Sequence, residues 1–269
     1  MDIRRADAGD AAAVVALRSV VYPYLVRGVE ATRQELTGAE WVAEAGGRVV
    51  GWVAARGRTV SLLHVHPEHR GRGLGSALLD VALAHVEEPA RAFATAPALD
   101  FARRHGFRPS RPVRYSALDL AAFPRVPSDF ARLREVDPAD LHRTYTEATA
   151  DEPGDVPALP VPFERFVAWF WDNPDADREA GSVAYADGRP VAFSLVLRDG
   201  DRVWSDMTAT LPAYRGRGLA YAVKRAALSR VRGRTAFTSN DEANKPMLAI
   251  NTRLGYRAVA AQWSCVRAV

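Results

Sequence analysis

Arg70-Gly71-Arg72-Gly73-Leu74-Gly75 recurs 145 residues later as Arg215-Gly216-Arg217-Gly218-Leu219-Ala220. Each copy follows a β-branched, apolar stretch that contains a proline, and each opens a segment with the apolar periodicity of a helix. The pattern therefore predicts a strand, a glycine-rich turn and a helix in both halves of the chain. Glycines let the backbone approach a ligand closely, and the first N–H groups of a helix attract anions. We expect each turn to bind phosphate.

A second pair of segments follows the two turns. Residues 98–107 end in Gly106-Phe107, and residues 244–256 end in Gly255-Tyr256. Arg-x-x-Gly-x-Gly/Ala, followed about 30 to 35 residues later by a short helix ending in Gly-Phe or Gly-Tyr, resembles the GNAT superfamily of acyl-CoA-dependent N-acetyltransferases. Because both halves carry the pattern, the chain resembles tandem GNAT proteins, which include mycothiol synthases and many actinobacterial acetyltransferases.

The resemblance implies an α/β (α+β) fold of two consecutive GNAT domains, with acetyl-CoA as cosubstrate. Each domain is expected to have a mixed, mostly antiparallel, twisted sheet flanked by helices and splayed open where acyl-CoA inserts. A proline-containing linker over 123–128 separates the domains, which we predict at 1–124 and 128–269. We expect the N-terminal domain to be degenerate and the C-terminal domain to be catalytic.

Composition narrows the class of protein. The 269 residues are 48% hydrophobic, and 36 basic residues are dispersed among 32 acidic ones. We therefore expect no nucleic-acid partner, despite a net charge of +4. No segment approaches the roughly 18 apolar residues of a membrane span, so we expect no membrane partner and a cytoplasmic location. The single cysteine, Cys265, excludes an intramolecular disulfide. We expect a monomer or a homodimer.

Local signals predict several elements. We expect Asp10 to cap a helix over 11–20, Gly46-Gly47 to turn a hairpin over 41–55, and a further strand to cover 113–118. In the second half, a helix is expected from Ala139 and another over 162–171. The halves differ in length before the turn, because the second has gained about 15 residues there.

Asp206 is the candidate general base. It lies six residues before Pro212, and its counterpart 145 residues earlier is Ser61. In many GNAT enzymes an acidic residue at this place accepts a proton from the substrate ammonium, directly or through water. An amine attacks a thioester only when it is neutral, so a positioned carboxylate accelerates the reaction. Alternatively, Asp206 is a surface acid or a partner of Arg202.

Asn251 is the second candidate catalytic residue. Many family members place there a tyrosine that protonates the departing thiolate, and the first half has Ala102. An amide cannot donate a proton as a phenol does, which puts the family's general acid in doubt here. The thiol leaves fairly readily as thiolate, so a hydrogen bond from Asn251, or from a water, could replace the proton donor. Alternatively, Asn251 only caps the helix. The family's Asn-x-x-Ala pattern aligns with Asn244 through Met247, where the first half has Thr95 and Ala98.

The resemblance also assigns ligand-binding residues. In the second half the expected acyl-CoA contacts are Thr208, Thr210, Arg215, Gly216, Arg217, Gly218, Leu219, Ala220, Asn244 and Asn251. In the first half they are Val65, Arg70, Gly71, Gly73 and Gly75. The gained loop and the aromatic segment after it suggest acceptor contacts at Asp151, Glu152, Asp155, Phe166 and Trp169. Alternatively, the aromatic residues are core and the loop is a rigid surface loop.

His64, His66 and His69 are a weak metal signal. His64 and His66 would share one face of a strand, with His69 in the turn, and no cysteine or carboxylate cluster accompanies them. We expect no metal.

These observations favour an acetyltransferase that moves acetyl from acetyl-CoA to a primary amine of a small molecule or peptide, by direct attack in a ternary complex. The alternative is a non-catalytic acyl-CoA-binding or regulatory protein, since an enzyme and a binding protein would both have intact turns. Whether the first domain binds acyl-CoA is open, although its intact turn favours binding. The sequence does not identify the acceptor.

Overall fold

The computed structural model describes residues 2–151 and 160–267, which fall into two compact units. Of these residues, unit 1 holds 2–114 and 260–267, and unit 2 holds 115–151 and 160–259. The chain therefore passes from unit 1 to unit 2 within one strand and returns within the last strand. The repeat in the sequence did not predict that these two strands would be divided.

Unit 1 is a sheet with helices against it. Its elements are β1 (Asp2–Arg5), α1 (Ala11–Val21), α2 (Val29–Glu35), β2 (Glu40–Ala45), β3 (Arg48–Arg56), β4 (Thr59–Val65), α3 (Leu74–Leu83), β5 (Ala90–Thr95), α4 (Leu99–Arg104), the first part of β6 (Arg108–Asp119) and the last part of β12 (Arg257–Arg267). The strand order is β1-β2-β3-β4-β5-β12-β6. Neighbours from β1 to β4 are antiparallel, whereas β4 and β5 are parallel.

Unit 2 repeats this arrangement. It contains the rest of β6 and β12 with β7 (Ala131–Arg132), α5 (Pro138–Thr149), α6 (Phe163–Phe166), β8 (Ser182–Ala186), β9 (Arg189–Asp199), β10 (Arg202–Thr210), α7 (Leu219–Arg230), β11 (Thr235–Asp241) and α8 (Lys245–Leu254). The strand order is β12-β6-β11-β10-β9-β8-β7. Strands β7 to β10 are antiparallel neighbours, and β10 and β11 are parallel. The mixed, mostly antiparallel sheet expected for GNAT domains is confirmed.

Several local predictions need correction. The side chain of Asp10 does not cap α1; its carboxylate accepts two hydrogen bonds from Arg4, at 2.7 and 2.8 Å, and one from the Asp7 amide. Asp7 caps the preceding 3₁₀ turn instead, because its side chain reaches the Gly9 amide. Helix α2 was not predicted, and the strand predicted over 113–118 begins five residues earlier, at Arg108.

Apolar side chains from the sheet and from α3 form the core of unit 1. Trp41, Val53, Leu78 and Phe107 are buried there, together with Cys265. The buried thiol agrees with the interpretation of Cys265 as a small apolar residue. Among the described residues, no helix combines the length and apolar character that crossing a bilayer requires.

The predicted linker packs on α7. Arg125 donates to the carbonyl oxygens of Ser229 and Val231 at 2.8 and 2.7 Å, and the Val126 amide donates to the Ser229 hydroxyl at 2.5 Å. These bonds explain why the segment groups with unit 2, since backbone and side chain are both held against one helix.

Gly51 in β3 lets α3 approach the sheet. A Cβ at this position would lie 2.8 Å from Cδ1 of Leu78 and 3.2 Å from Cβ of Ala43. We predict that Gly51→Ala lowers the free energy of unfolding by about 1–3 kcal/mol through overpacking. Chemical denaturation measures it. Leu78→Val removes the clashing methyl, so the double variant should be more stable than the sum of the single effects; strict additivity would contradict the packing explanation.

Candidate functional site

The two glycine-rich turns have the same backbone conformation. Gly71 and Gly216 have φ of 72° and 75°, and Gly73 and Gly218 have φ of 79° and 77°. Residues with a side chain rarely adopt these angles, which explains the glycines. Gly73 and Gly218 are the N-caps of α3 and α7, and no side chain caps either helix. Both helix N-termini therefore present amide groups suited to an anion.

The turn arginines share one contact and differ in another. Nε of Arg70 donates to the Val65 carbonyl at 3.0 Å, and Nε of Arg215 donates to the Thr210 carbonyl at 3.2 Å. Arg215 also binds both carboxylate oxygens of Asp151, at 2.5 and 2.8 Å, and its guanidinium holds the pKa of that carboxyl below its usual range. Asp151, an expected acceptor contact, thus lies at the turn.

Strand β10 bulges at Asp206 and Met207. Pairing with β9 runs through Ser205, skips these two residues and resumes at Thr208. On the other side, parallel pairing with β11 ends at Trp204. The two strands therefore stop sharing a ladder where the bulge begins. This is the opening in the sheet that the resemblance implies.

Unit 1 has the corresponding bulge in β4. The ladder between β3 and β4 skips Leu62 and Leu63, and pairing with β5 ends at Val60. Leu62 has a φ of 56°, unusual for a residue with a side chain. When the two strands are aligned on their bulges rather than on the turns, Leu62 and not Ser61 is the counterpart of Asp206. Neither residue carries a carboxylate.

Asp206 accepts a hydrogen bond from its own strand. The indole Nε1 of Trp204 donates to its carboxylate at 2.8 Å, and the carboxylate is half-buried at the bulge. The suggested partner, Arg202, places its guanidinium 5.5 Å from the ring centroid of Phe237. The indole bond orients the carboxylate without neutralising it, so Asp206 keeps its capacity to accept a proton.

Lys224 is a residue whose importance the sequence analysis missed. It lies on α7 with 1% of its surface exposed, and its ammonium is 5.3 Å from the ring centroid of Tyr256. Burial lowers the pKa of Lys224 to about 7, and the negative charge of Asp206 acts in the opposite direction. The sequence does contain a signal for this residue, because lysine is rare in the chain and occurs only at 224 and 245.

Other buried polar groups lie behind the bulge. The Thr238 hydroxyl donates to the Ser205 carbonyl at 3.0 Å, which joins β11 to β10 just beyond their last ladder pair. The Tyr256 hydroxyl is fully buried, and burial raises its pKa above the usual range. The aromatic residue of the Gly-Tyr motif therefore belongs to the interior, where it packs against the charged end of Lys224.

The two asparagines of the second block have different roles. Asn244 caps α8, because its side-chain oxygen accepts from the Met247 amide at 3.2 Å. Asn251 is 2% exposed, and its amide nitrogen donates to the Asn240 side chain in β11 at 2.6 Å. The side chain of Asn251 does not cap the helix end, where Gly255 has φ of 96°. It links α8 to the strand that faces the opening.

Two threonines follow the bulge in β10, and their side chains contribute to the fold. Thr208 shares a hydrogen bond of 2.9 Å with Ser194 on β9. Thr210 is buried, and its carbonyl holds Arg215. The Thr208 hydroxyl is therefore used within the sheet, and the Thr210 side chain is buried.

The residues predicted to contact the acceptor amine lie in different environments in the structure. Phe166 is completely buried in the core of unit 2, with its ring 5.1 Å from that of His142, so the core alternative applies to it. Trp169 is 36% exposed, and the guanidinium of Arg165 stacks 5.1 Å from its ring centroid. Glu152 and Asp155 lie outside the described residues. Trp169 remains a surface candidate for acceptor contacts.

The histidines do not group as expected. His64 is buried in unit 1, where burial and the charges of Arg18 and Arg70 lower its pKa to about 3. His66 and His69 instead lie with Glu68, and their ligand atoms are all within 4.8 Å of one another. The sequence analysis overlooked this carboxylate.

Comparison with known families agrees with this geometry. Residues 37–109 match the model of the acetyltransferase (GNAT) domain, and residues 141–256 match that of the acetyltransferase (GNAT) family. The chain belongs to the GNAT family. It carries two GNAT domains in tandem, as the duplicated turn predicted. None of the curated proteins matches the chain significantly.

Solved structures of GNAT proteins share the fold. A GCN5-related N-acetyltransferase from Sphaerobacter thermophilus is 19% identical with a TM-score of 0.72, and the match covers 99% of this chain and 95% of that one. A tandem GNAT protein from the clavulanic acid biosynthesis pathway is 21% identical with a TM-score of 0.66, over 98% and 97% of the two chains. At these identities the likeness shows the fold alone.

The buried Lys224 should make stability depend on pH. Unfolding restores its pKa from about 7 to the ordinary 10.5, so the unfolded state binds more protons between these values and the free energy of unfolding rises with pH. Below pH 7 both states are protonated, and a cost of about 5 kcal/mol remains. We predict that Lys224→Met gains most stability over the wild type near pH 6 and progressively less toward pH 9.5, by up to about 1.4 kcal/mol per pH unit.

Denaturant titrations at several pH values measure this difference. Lys245→Met is the matched control, because that side chain is 76% exposed. Its stability difference from the wild type should stay flat over the same range. A flat difference for Lys224→Met as well would show that Lys224 has an ordinary pKa in the folded protein.

Proposed function

We propose that the second GNAT domain transfers acetyl from acetyl-CoA to a primary amine of a small molecule or peptide by direct attack in a ternary complex. The observation that carries the proposal is the bulge of β10, which places Asp206 where pairing with β11 ends. A carboxylate, unpaired backbone groups and a phosphate-binding turn follow one another along 206–220. We also propose that the protein is cytoplasmic.

The turn of the second domain suits the pyrophosphate of acetyl-CoA. Positive φ at Gly216 and Gly218 brings backbone amides to one side of the turn, at the positive end of the α7 dipole. The guanidinium of Arg215 already holds the bidentate carboxylate of Asp151, a geometry that phosphate oxygens also satisfy. Bound pyrophosphate would replace Asp151 on Arg215 or share that arginine with it.

The proposed chemistry follows from the bulge. Asp206 accepts a proton from the substrate ammonium, and the neutral amine then attacks the thioester carbon. Backbone N–H groups of β10 beyond its ladder with β11 stabilise the oxyanion. As the C–S bond breaks, the attacking nitrogen loses its second proton to the departing thiolate, and CoA is released as the thiol. A thiol with a pKa of about 8.5 leaves readily as thiolate. One N–H of the Asn251 side chain orders β11 through Asn240, and its second N–H keeps the capacity to donate a hydrogen bond to the leaving thiolate.

The first domain lacks this equipment. Leu62 or Ser61 stands in place of the carboxylate, and Ala102 stands in place of Asn251. Its turn is nevertheless intact, and Arg70 makes the same backbone contact as Arg215. We propose that the first domain is structural and that its turn retains the capacity to bind CoA.

A non-catalytic acyl-CoA-binding protein is the second candidate. The engagement of Arg215 by Asp151 favours it, because a turn that is occupied by the protein's own carboxylate suits regulated binding. Release of free thiol from acetyl-CoA in the presence of a panel of primary amines separates the two candidates. Turnover with any amine supports the enzyme, whereas binding without turnover across the panel supports the regulatory protein.

Cofactor binding should depend on the second turn. We predict that Arg215→Glu combined with Gly218→Asp abolishes measurable acetyl-CoA binding at that domain, because the new carboxylates repel pyrophosphate and Asp strains the φ of 77°. Titration calorimetry measures stoichiometry and affinity. The matched pair Arg70→Glu and Gly73→Asp tests the first turn. Unchanged binding in the Arg215 and Gly218 variant would remove the site assignment.

Catalysis should depend on Asp206. We predict that Asp206→Asn lowers kcat/KM about 100-fold or more near neutral pH, a loss of roughly 2.7 kcal/mol of transition-state stabilisation. The deficit should shrink as the pH approaches the pKa of the amine, where the substrate arrives neutral. Steady-state kinetics with the amine found in the panel measure it, and Ser61→Ala is the control. Near-normal turnover by Asp206→Asn with loss of turnover in Ser61→Ala would reverse the assignment of the active half.

A further inference from the structure

The guanidinium of Arg215 uses most of its hydrogen-bonding capacity within the protein. Nε donates to the Thr210 carbonyl at 3.2 Å, and Nη2 donates to the Ala148 carbonyl at 3.0 Å. The carboxylate of Asp151 accepts from Nη1 at 2.5 Å and from Nη2 at 2.8 Å. A guanidinium has five N–H groups, and these contacts use four of them. The arginine that we assign to the cofactor phosphate is therefore already occupied.

The occupied groups are those that a phosphate needs. Arginine binds phosphate most strongly through two parallel N–H groups. The pair at Nη1 and Nη2 holds Asp151, and the pair at Nε and Nη2 holds two carbonyl oxygens of the backbone. The side chains of Arg215 and Asp151 are 42% and 60% exposed, so water reaches the ion pair and its separation costs little. Asp151 is thus the partner that a phosphate can displace.

The first domain supplies an internal comparison. Arg70 makes the same backbone contact through Nε, and it has no carboxylate partner in the part of the chain that the structure describes. Asp7 and Asp137 cap the first helical turns of the two units, 130 residues apart. At the same offset, the counterpart of Asp151 is Val21, at the end of α1. The two turns share one backbone conformation, but only the second has a carboxylate on its arginine.

We propose that Asp151 is an internal anion that holds Arg215 until the pyrophosphate of acyl-CoA displaces it. The inference rests on the proposed function, because it takes acyl-CoA to be the ligand of the second turn. Two hydrogen bonds to Asp151 break when two to phosphate oxygens form, so the cofactor gains less than it would from a free arginine. Asp151 thereby sets the affinity of the second domain for its cofactor and does not contact the acceptor amine.

Calorimetry on the full chain tests this role. Arg70→Glu combined with Gly73→Asp blocks the first turn, so that only the second turn binds acetyl-CoA. In this background we expect Asp151→Asn to tighten binding about 3- to 10-fold, the strength of an exposed but bidentate ion pair. Asp187→Asn is the matched control, because the Asp187 carboxylate accepts from Tyr214 beside the turn at 3.1 Å. It removes the same charge without touching the turn arginine and should leave the affinity unchanged.

Inorganic pyrophosphate isolates the phosphate contact from the rest of the cofactor. As a competitor of acetyl-CoA in the same background, it should also bind more tightly after Asp151→Asn. Arg215→Gln should remove that gain, because no arginine is then left to compete for. A gain that persists with Arg215→Gln, or an affinity that Asp151→Asn leaves unchanged, would overturn the inference. Weaker binding after Asp151→Asn would overturn it too, since the carboxylate would then position the arginine for the cofactor.

Steady-state kinetics separate this inference from the proposed function. With the amine found in the panel, we expect Asp151→Asn to lower KM for acetyl-CoA by a similar factor and to leave kcat unchanged. A raised KM for the amine would overturn the inference and make Asp151 an acceptor contact. Acetyl-CoA binding that ignores Asp151→Asn overturns the inference and leaves the proposed function intact. A wild-type protein that acetylates no amine overturns the proposed function, while calorimetry still decides the role of Asp151.

Discussion

The bulge at Asp206 and Met207 is the constraint on which the site in the second domain depends. The bulge puts one extra residue into β10, and β10 keeps its ladder with β9 while losing the one with β11 beyond Trp204. Under the proposed function, this loss provides the backbone groups and the carboxylate that act on the ligand. The glycine-rich turn lies only a few residues further along the same segment, so one stretch of chain supplies both ends of the site.

The interior behind the bulge is unusually polar for a domain core. Lys224, Tyr256 and Asn251 are all buried, and each carries a group that would be more stable in water. Hydrogen bonds, ring contacts and one opposite charge offset part of this cost. The corresponding interior of the first domain is apolar at Leu62 and Leu79. We interpret the difference as stability given up in the second domain to hold reactive groups in place.

The sequence predicted what depends on local backbone chemistry. The turns at 70–75 and 215–220, the hairpins and the terminal Gly-aromatic pairs follow from residues that only certain conformations accommodate. The halves also differ in sequence at Asp206 and Asn251, and the assignment of catalysis to the second half stays a prediction. Spacing alone could not locate the bulges. From the bulge to the turn arginine the second half is one residue longer, nine residues against eight, so Leu62 rather than Ser61 is the counterpart of Asp206. Contacts between distant segments, such as Arg215 with Asp151, have no local signal, and the burial of Lys224 depends on how α7 packs.

A crystal structure of the full chain soaked with acetyl-CoA tests the central claim most directly. The account predicts electron density with the pyrophosphate on the amides of Gly216 and Gly218 and the thioester beside the bulge, within reach of Asp206. Density confined to the turn at Arg70, or a thioester placed away from Asp206, would contradict it.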